Sequence, residues 1–259
     1  MKLSTKGALV MMAGIAIGFS ACKKDSSPAS KPTTAPSVGY DVVSSQVASN
    51  FSNALSGSMG GEDLNRGLTP SFGTYPPGAS ALCGFVADSN VHYTTNVGDT
   101  IKSTTTGSSK FYFDCLLGKP VGYTLVDAVV TTGTAPGYSF VYDVAQGYQI
   151  ESLNTTATQL KVVGTLQAYK DFSYSNKNYK NASEHDSFVI TDAIVDIATK
   201  GQNSINSGSA TFKTQGTNAE GQSWNYTGVM TFIGNDIGKL VFEGHTFYVN
   251  LATGKIVTI

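Results

Sequence analysis

The chain has 259 residues, of which 14% are charged against a usual quarter or so, and a formal net charge of −1. Without a basic surplus it has no electrostatic field for phosphate backbones, which excludes nucleic acid as a partner. Ser, Thr, Asn and Gly must supply much of the polar surface, as in exported β proteins, and the length suits one β domain.

Lys2 and Lys6 form a positive n-region, and an apolar run from about Ala8 to Phe19 follows. It is shorter than the roughly 20 residues of a membrane-spanning helix, so residues 1–21 read as a signal peptide. The run ends in Phe19-Ser20-Ala21-Cys22, which resembles the bacterial lipobox. That resemblance implies cleavage before Cys22, lipidation of its thiol, and a membrane partner through the lipid. Residues 22–38, with Lys23, Lys24 and Asp25 followed by a Ser/Pro-rich stretch, are too polar to bury a core and form the tether. Residues 39–259 form one mostly β domain.

Just after the tether, Val43, Val47, Phe51 and Leu55 recur every four residues, with Ala48 and Ala54 widening the stripe. This predicts a helix from about Val42 to Ser56, N-capped by Asp41, stopped by Gly57 and docked on the sheet. From Ser58 to Ser80 the text is loop-like, punctuated by Gly60-Gly61, Pro70 and Pro76-Pro77. Cys83 and Cys115 both lie in strand-like text and, in an exported protein, are expected to form a disulfide.

Beyond Leu82 nearly everything alternates with period two. Leu160, Val162, Leu166 and Ala168 share one face, as do Trp224, Tyr226, Met230 and Phe232. Turn signals separate the runs, among them Gly118-Lys119-Pro120, Gly133 to Gly137, Ser175 to Ser183, Gly201 to Gly208 and Gly234-Asn235-Asp236. The fold class is therefore all-β: an antiparallel meander of roughly ten strands, closed into a barrel or folded as a sandwich, with one short N-terminal helix packed on it.

Catalytic chemistry has no motif to rest on. Gly57-Ser58-Met59-Gly60 lacks the spacing of a nucleophile elbow, and Gly107-Ser108-Ser109-Lys110 lacks the upstream glycine of a phosphate loop. Glu184-His185-Asp186, with His245, gathers metal-ligand types, but neighbours on a strand point to opposite faces, so the triplet reads as a solvated hairpin tip. Asp143, Asp171, Asp192 and Asp196 are candidate glycosidase acids with nothing in the spacing to pair them. No catalytic residue, metal site or cofactor is assigned.

Aromatic residues give the one candidate ligand platform: Trp224, Tyr169 and Tyr174, should their rings be exposed. Filling the core is the expected role, with the Trp224 face inward and its indole N–H bonded internally.

The Cys-Lys-Lys-Asp start, the helix, Leu82-Cys83-Gly84-Phe85, the meander and the closing Phe247-Tyr248-Val249-Asn250-Leu251 resemble uncharacterised envelope lipoproteins of Bacteroidota. The resemblance implies an outer-membrane location on either face, with Asp25 the only acidic residue just after the cysteine. It brings no catalytic residues. The expected function is a non-enzymatic interaction or binding module, its ligand a protein, a glycan or a small hydrophobic molecule. A carrier of small hydrophobic ligands in a barrel is the second expectation and a hydrolase of polysaccharides the third.

Overall fold

A computed structural model describes residues 38–68, 79–98, 100–197 and 204–259. The signal segment, Cys22 and all of the tether but Val38 lie outside the described residues. Val38 is itself buried in the core, so packing begins one residue before the expected boundary.

Helix α1 spans Tyr40–Leu55 and buries Val43, Val47, Ala48, Phe51, Ala54 and Leu55, the stripe that the four-residue spacing predicts. Gly39, not Asp41, occupies the N-cap, and Asp41 falls in the first turn, where its charge suits the helix dipole. Ser56 is the C-cap, and Gly57 beyond it adopts φ 68°, the left-handed turn that ends helices. The following loop includes a short 3₁₀ turn, Leu64–Arg66, and ends in a four-residue helix α2, Ala79–Leu82. Among the described residues no helix is long and apolar enough to cross a membrane.

Eleven strands follow: β1 Val86–Val97, β2 Ile101–Leu116, β3 Lys119–Ala135, β4 Tyr138–Ser152, β5 Gln159–Tyr174, β6 Ala182–Asp196, β7 Ser204–Thr217, β8 Ser223–Phe232, β9 Ile237–Phe242, β10 His245–Asn250 and β11 Lys255–Ile256. They form one antiparallel sheet whose spatial order is the chain order. No pairing joins β1 to β11 among the described residues, so the sheet is open and the barrel alternative is set aside. Several predicted turns are shorter than the sequence suggests. Gly133 lies within β3 and Gly208 within β7, while Gly201 lies outside the described residues.

The sheet is rolled around α1. Gly254, at the start of β11, lies against Ser45 and Ser49, while Gln146 of β4 donates from Nε2 to the Ala54 carbonyl at 3.2 Å. Seven strand spacings separate β4 from β11, which flat would be about 34 Å. Ser49 and Ala54 are only about 7.5 Å apart along the helix axis. One helix can touch both strands only if the sheet curls about it, with a concave face inward.

Two features of the sequence permit the curl. Gly164 and Gly208 sit beside register shifts in β5–β6 and β6–β7, where a side chain would collide with the neighbouring strand's backbone. On the concave face, rings cover glycines across the strand pairs: Phe140 over Gly133, Trp224 over Gly216 and Phe212 over Gly228. A Cβ at these glycines would meet ring atoms at 2.2, 2.3 and 2.5 Å, so each glycine makes room for a large apolar group at a tight bend.

Cys83 and Cys115 form a disulfide, with Cα atoms 5.7 Å apart. Cys83 follows α2 rather than lying in a strand, and touches the sheet only through a single bridge to Phe113. The bond ties the segment after α2 to the end of β2. A non-reducing digest is expected to yield one Cys83–Cys115 linked peptide pair. Reduction should cost roughly 3 to 4 kcal/mol on the chain-entropy account, read as a lowered Tm; two alkylatable thiols in native protein would contradict it.

Candidate functional site

Titratable side chains converge on the concave face, beneath the helix. In β6 the alternation turns Glu184 and Asp186 inward and His185 outward. Lys170 of β5 lies directly opposite Glu184, and its Nζ is 3.3 Å from Glu184 Oε2. These two side chains are only 7% and 10% exposed. One turn of the pleat away, Asp186 Oδ2 accepts from Asn50 Nδ2 of α1 at 2.8 Å, and the same amide donates to the Ala168 carbonyl at 2.8 Å. Thr214 of β7 bonds the Asp186 carboxyl and accepts the Trp224 indole N–H at 2.9 Å.

Two carboxyls thus share one cation in a dry site. Burial, then the charge of Glu184, push the Asp186 carboxyl well above the usual carboxylate range, while Thr214, Asn50 and Lys170 pull it down. A proton kept on Asp186 leaves one negative and one positive group, the arrangement that burial tolerates best. Glu184 Oε1, Asp186 Oδ1 and Asn50 Oδ1 have no hydrogen-bond partner within the protein.

A second polar cluster lies under the loop after α1. Asp127 of β3 and Gln146 of β4 face each other in register, and both accept from the Glu62 backbone N–H, at 3.0 and 2.6 Å. Gln146 Nε2 also donates to the Tyr148 hydroxyl at 3.3 Å. Nearby, Thr131 donates to the Met59 carbonyl at 3.2 Å and pairs with Thr105 at 2.7 Å. The loop can lie this close because Gly60 and Gly61 present no side chain to Thr131 and Gln146.

Desolvation pushes the Asp127 carboxyl up to about 7, against the bonds from Glu62 and Gln146. Between about pH 4 and pH 7 the folded protein therefore keeps a proton that the unfolded chain has released, so stability falls as pH rises through that window. Urea midpoints for the native protein should decline from pH 4.5 to 7.5. Asp127→Asn should flatten that decline, and an unchanged pH slope in the variant would contradict the assignment.

The convex face is different in kind. His185 stacks on Tyr169 with centroids 4.6 Å apart, and its Nε2 is 3.1 Å from Asp171 Oδ1. The Tyr169 hydroxyl lies 3.4 Å from Ser187 Oγ. Across this face one register row runs Lys110, Val126, Gly147, Thr165, Val189, Thr211, Val229 and Val241, one residue per strand from β2 to β9.

The residues singled out from sequence are therefore dispersed. Trp224 is buried with its N–H satisfied, as the alternation requires. Tyr169 is half-buried on the convex face, and Tyr174 joins Tyr138 and Tyr179 at one end of the sheet. These three rings do not form one platform. Glu184-His185-Asp186 lies inside β6, near its start, and is split between two faces, with Glu184 and Asp186 buried rather than solvated as at a hairpin tip. Among the described residues no three His, Cys, Asp or Glu side chains gather as a metal site. Asp143 and Asp171 lie on the convex face, Asp192 is half-buried opposite Ser209 of β7 beside a register shift, and Asp196 bonds Gln159 and Asn206, so the four acids do not face across a cleft.

Lys170, Asn50, Asp127 and Gln146 were missed as a group, although period two carries a signal for three of them: Asp127 lies between inward Leu125 and Val129, and Gln146 between inward Val144 and Tyr148. Extending the inward face Leu166 and Ala168 by one step reaches Lys170. The meeting with Asn50 has no local signature, because 118 residues separate Asn50 from Ala168. No protein-family model, curated protein or solved structure matches the chain.

Proposed function

We propose that this is an exported envelope protein of the Bacteroidota type, lipid-anchored at Cys22 to the outer membrane, acting as a non-enzymatic interaction or binding module. The observation that carries the non-enzymatic part is the destination of the buried polar groups. Asp186 is bonded to Asn50 of α1, and Asp127 to the Glu62 backbone of the loop after it. Both acids hold the chain's own helix and loop against the sheet, where a substrate would need space. The anchor rests on the Phe19-Ser20-Ala21-Cys22 text and the polar tether after it.

The anchor is tested by Cys22→Ser, which removes the acyl acceptor. The natural chain should partition into detergent and incorporate labelled fatty acid, with globomycin-sensitive processing. The variant should lose all three properties, and a variant that keeps them would defeat the proposal.

A second reading, a carrier of small hydrophobic ligands, draws support from the rolled sheet. Its concave face buries Phe111, Leu125, Tyr148, Phe188, Phe212 and Phe242, an apolar lining. Lipid recovered by solvent extraction from purified protein, at a fixed stoichiometry, would promote this reading over the first.

A further inference from the structure

We infer that the free edge of β1 is a self-association surface, along which a second copy of this chain adds its own β1 antiparallel and extends the sheet across a two-fold axis. The two ends of the sheet are finished differently. At one end β11 has two residues, β10 has six, Gly254 rests on α1, and the Tyr40 ring stacks on His245 at 4.3 Å. That edge is short and covered. At the other end β1 runs twelve residues, pairs with β2 over its whole length without a register shift, and among the described residues has no other strand beside it. Its sequence, Val86-Ala87-Asp88-Ser89-Asn90-Val91-His92-Tyr93-Thr94-Thr95-Asn96-Val97, contains no proline, no lysine and no bulge, the devices by which proteins block edge pairing.

The occupant is read from the pattern of the strand itself. A two-fold axis normal to the sheet keeps concave side chains with concave ones, so only registers that pair residues of the same face are allowed. Centring the axis on Asn90 sets Asp88 opposite His92 of the second copy, twice by symmetry. The same register sets Val86 against Thr94 on the convex face, and Ala87 against Tyr93 and Ser89 against Val91 on the concave face. Centring on Val91 places Asp88 opposite Thr94 instead, and centring on His92 places it opposite Asn96, so neither gives the carboxylate a donor as strong. The register about Asn90 joins nine residues per copy, a ladder of about 30 Å. It places each carboxylate against an imidazole and no like charges together. Among the described residues Asp88 pairs with Lys110 at 3.8 Å, an exposed pair of small worth.

The test is sedimentation equilibrium of the full chain in excess mild detergent, with circular dichroism confirming the fold of each variant. The natural protein should dimerise at micromolar concentrations. H92D sets two carboxylates opposite each other at both symmetry-related 88/92 pairs, and should weaken dimerisation at least tenfold. D88H/H92D exchanges the partners and should restore it. N90K, at an exposed position, places two ammonium groups at the axis and should give monomer whether or not H92D folds. A natural protein that stays monomeric at 100 μM, on the order of the weakest stable dimers, would overturn the inference. So would a dimer indifferent to N90K, or a double variant that fails to recover.

Discussion

Phe51→Ala is expected to cost roughly 3 to 5 kcal/mol, the range for deleting a buried phenyl ring. Phe51 is fully buried in the middle of α1, 4.9 Å from the Phe188 ring of β6 and 5.5 Å from the Phe232 ring of β8. It thus holds the helix to two non-adjacent strands at once, and nothing else of its size can move into the space, because α1 is pinned on either side by Asn50 and Ala54. A sixteen-residue helix is too short to persist alone in water, so losing its anchor should also loosen the sheet it curls. Chemical denaturation should show a lowered midpoint, and hydrogen exchange should rise along α1 before the central strands. A change below about 0.5 kcal/mol, typical of surface sites, would mean that the helix does not carry the core.

Lys170→Met is the second large effect. Among the described residues it removes the one cation paired with Glu184, leaving buried carboxyls without compensation, and breaking such a pair costs about 3 to 5 kcal/mol. Lys170→Met combined with Glu184→Leu removes both charges and should recover most of the stability, since an apolar replacement of a buried pair is often neutral or better. Urea denaturation of the single and double variants separates these outcomes. Equal losses in the single and double variants would show that the side-chain stems, rather than the charges, matter at this site.

Both predictions depend on how much of the molecule the sequence specifies. The α1 stripe was legible because a helix returns every fourth residue to one side, and Val43, Val47, Phe51 and Leu55 are all buried as the spacing requires. The inward face of β8 was legible by the period-two rule, down to an internal partner for the Trp224 indole. The disulfide was legible from the number of cysteines and the export signal, even though Cys83 proved to follow a helix turn. The expected count of roughly ten strands agrees with the eleven found, because the turns that part even the short β10 and β11 carry Glu243-Gly244 and Thr253-Gly254.

Closure of the sheet and the meeting of Lys170, Glu184, Asp186 and Asn50 were not legible. Local sequence fixes which side of a strand a residue faces, because sterics alone set the pleat and the helical pitch. Whether eleven strands close, stack or roll depends on accumulated twist, on bulges at Gly164 and Gly208, and on the volume of the helix they enclose. Those are sums over the whole sheet. For the same reason Glu184-His185-Asp186 reads as three adjacent polar residues in the text, while the tertiary structure divides it, burying two beside a lysine and leaving the histidine to stack on Tyr169 outside.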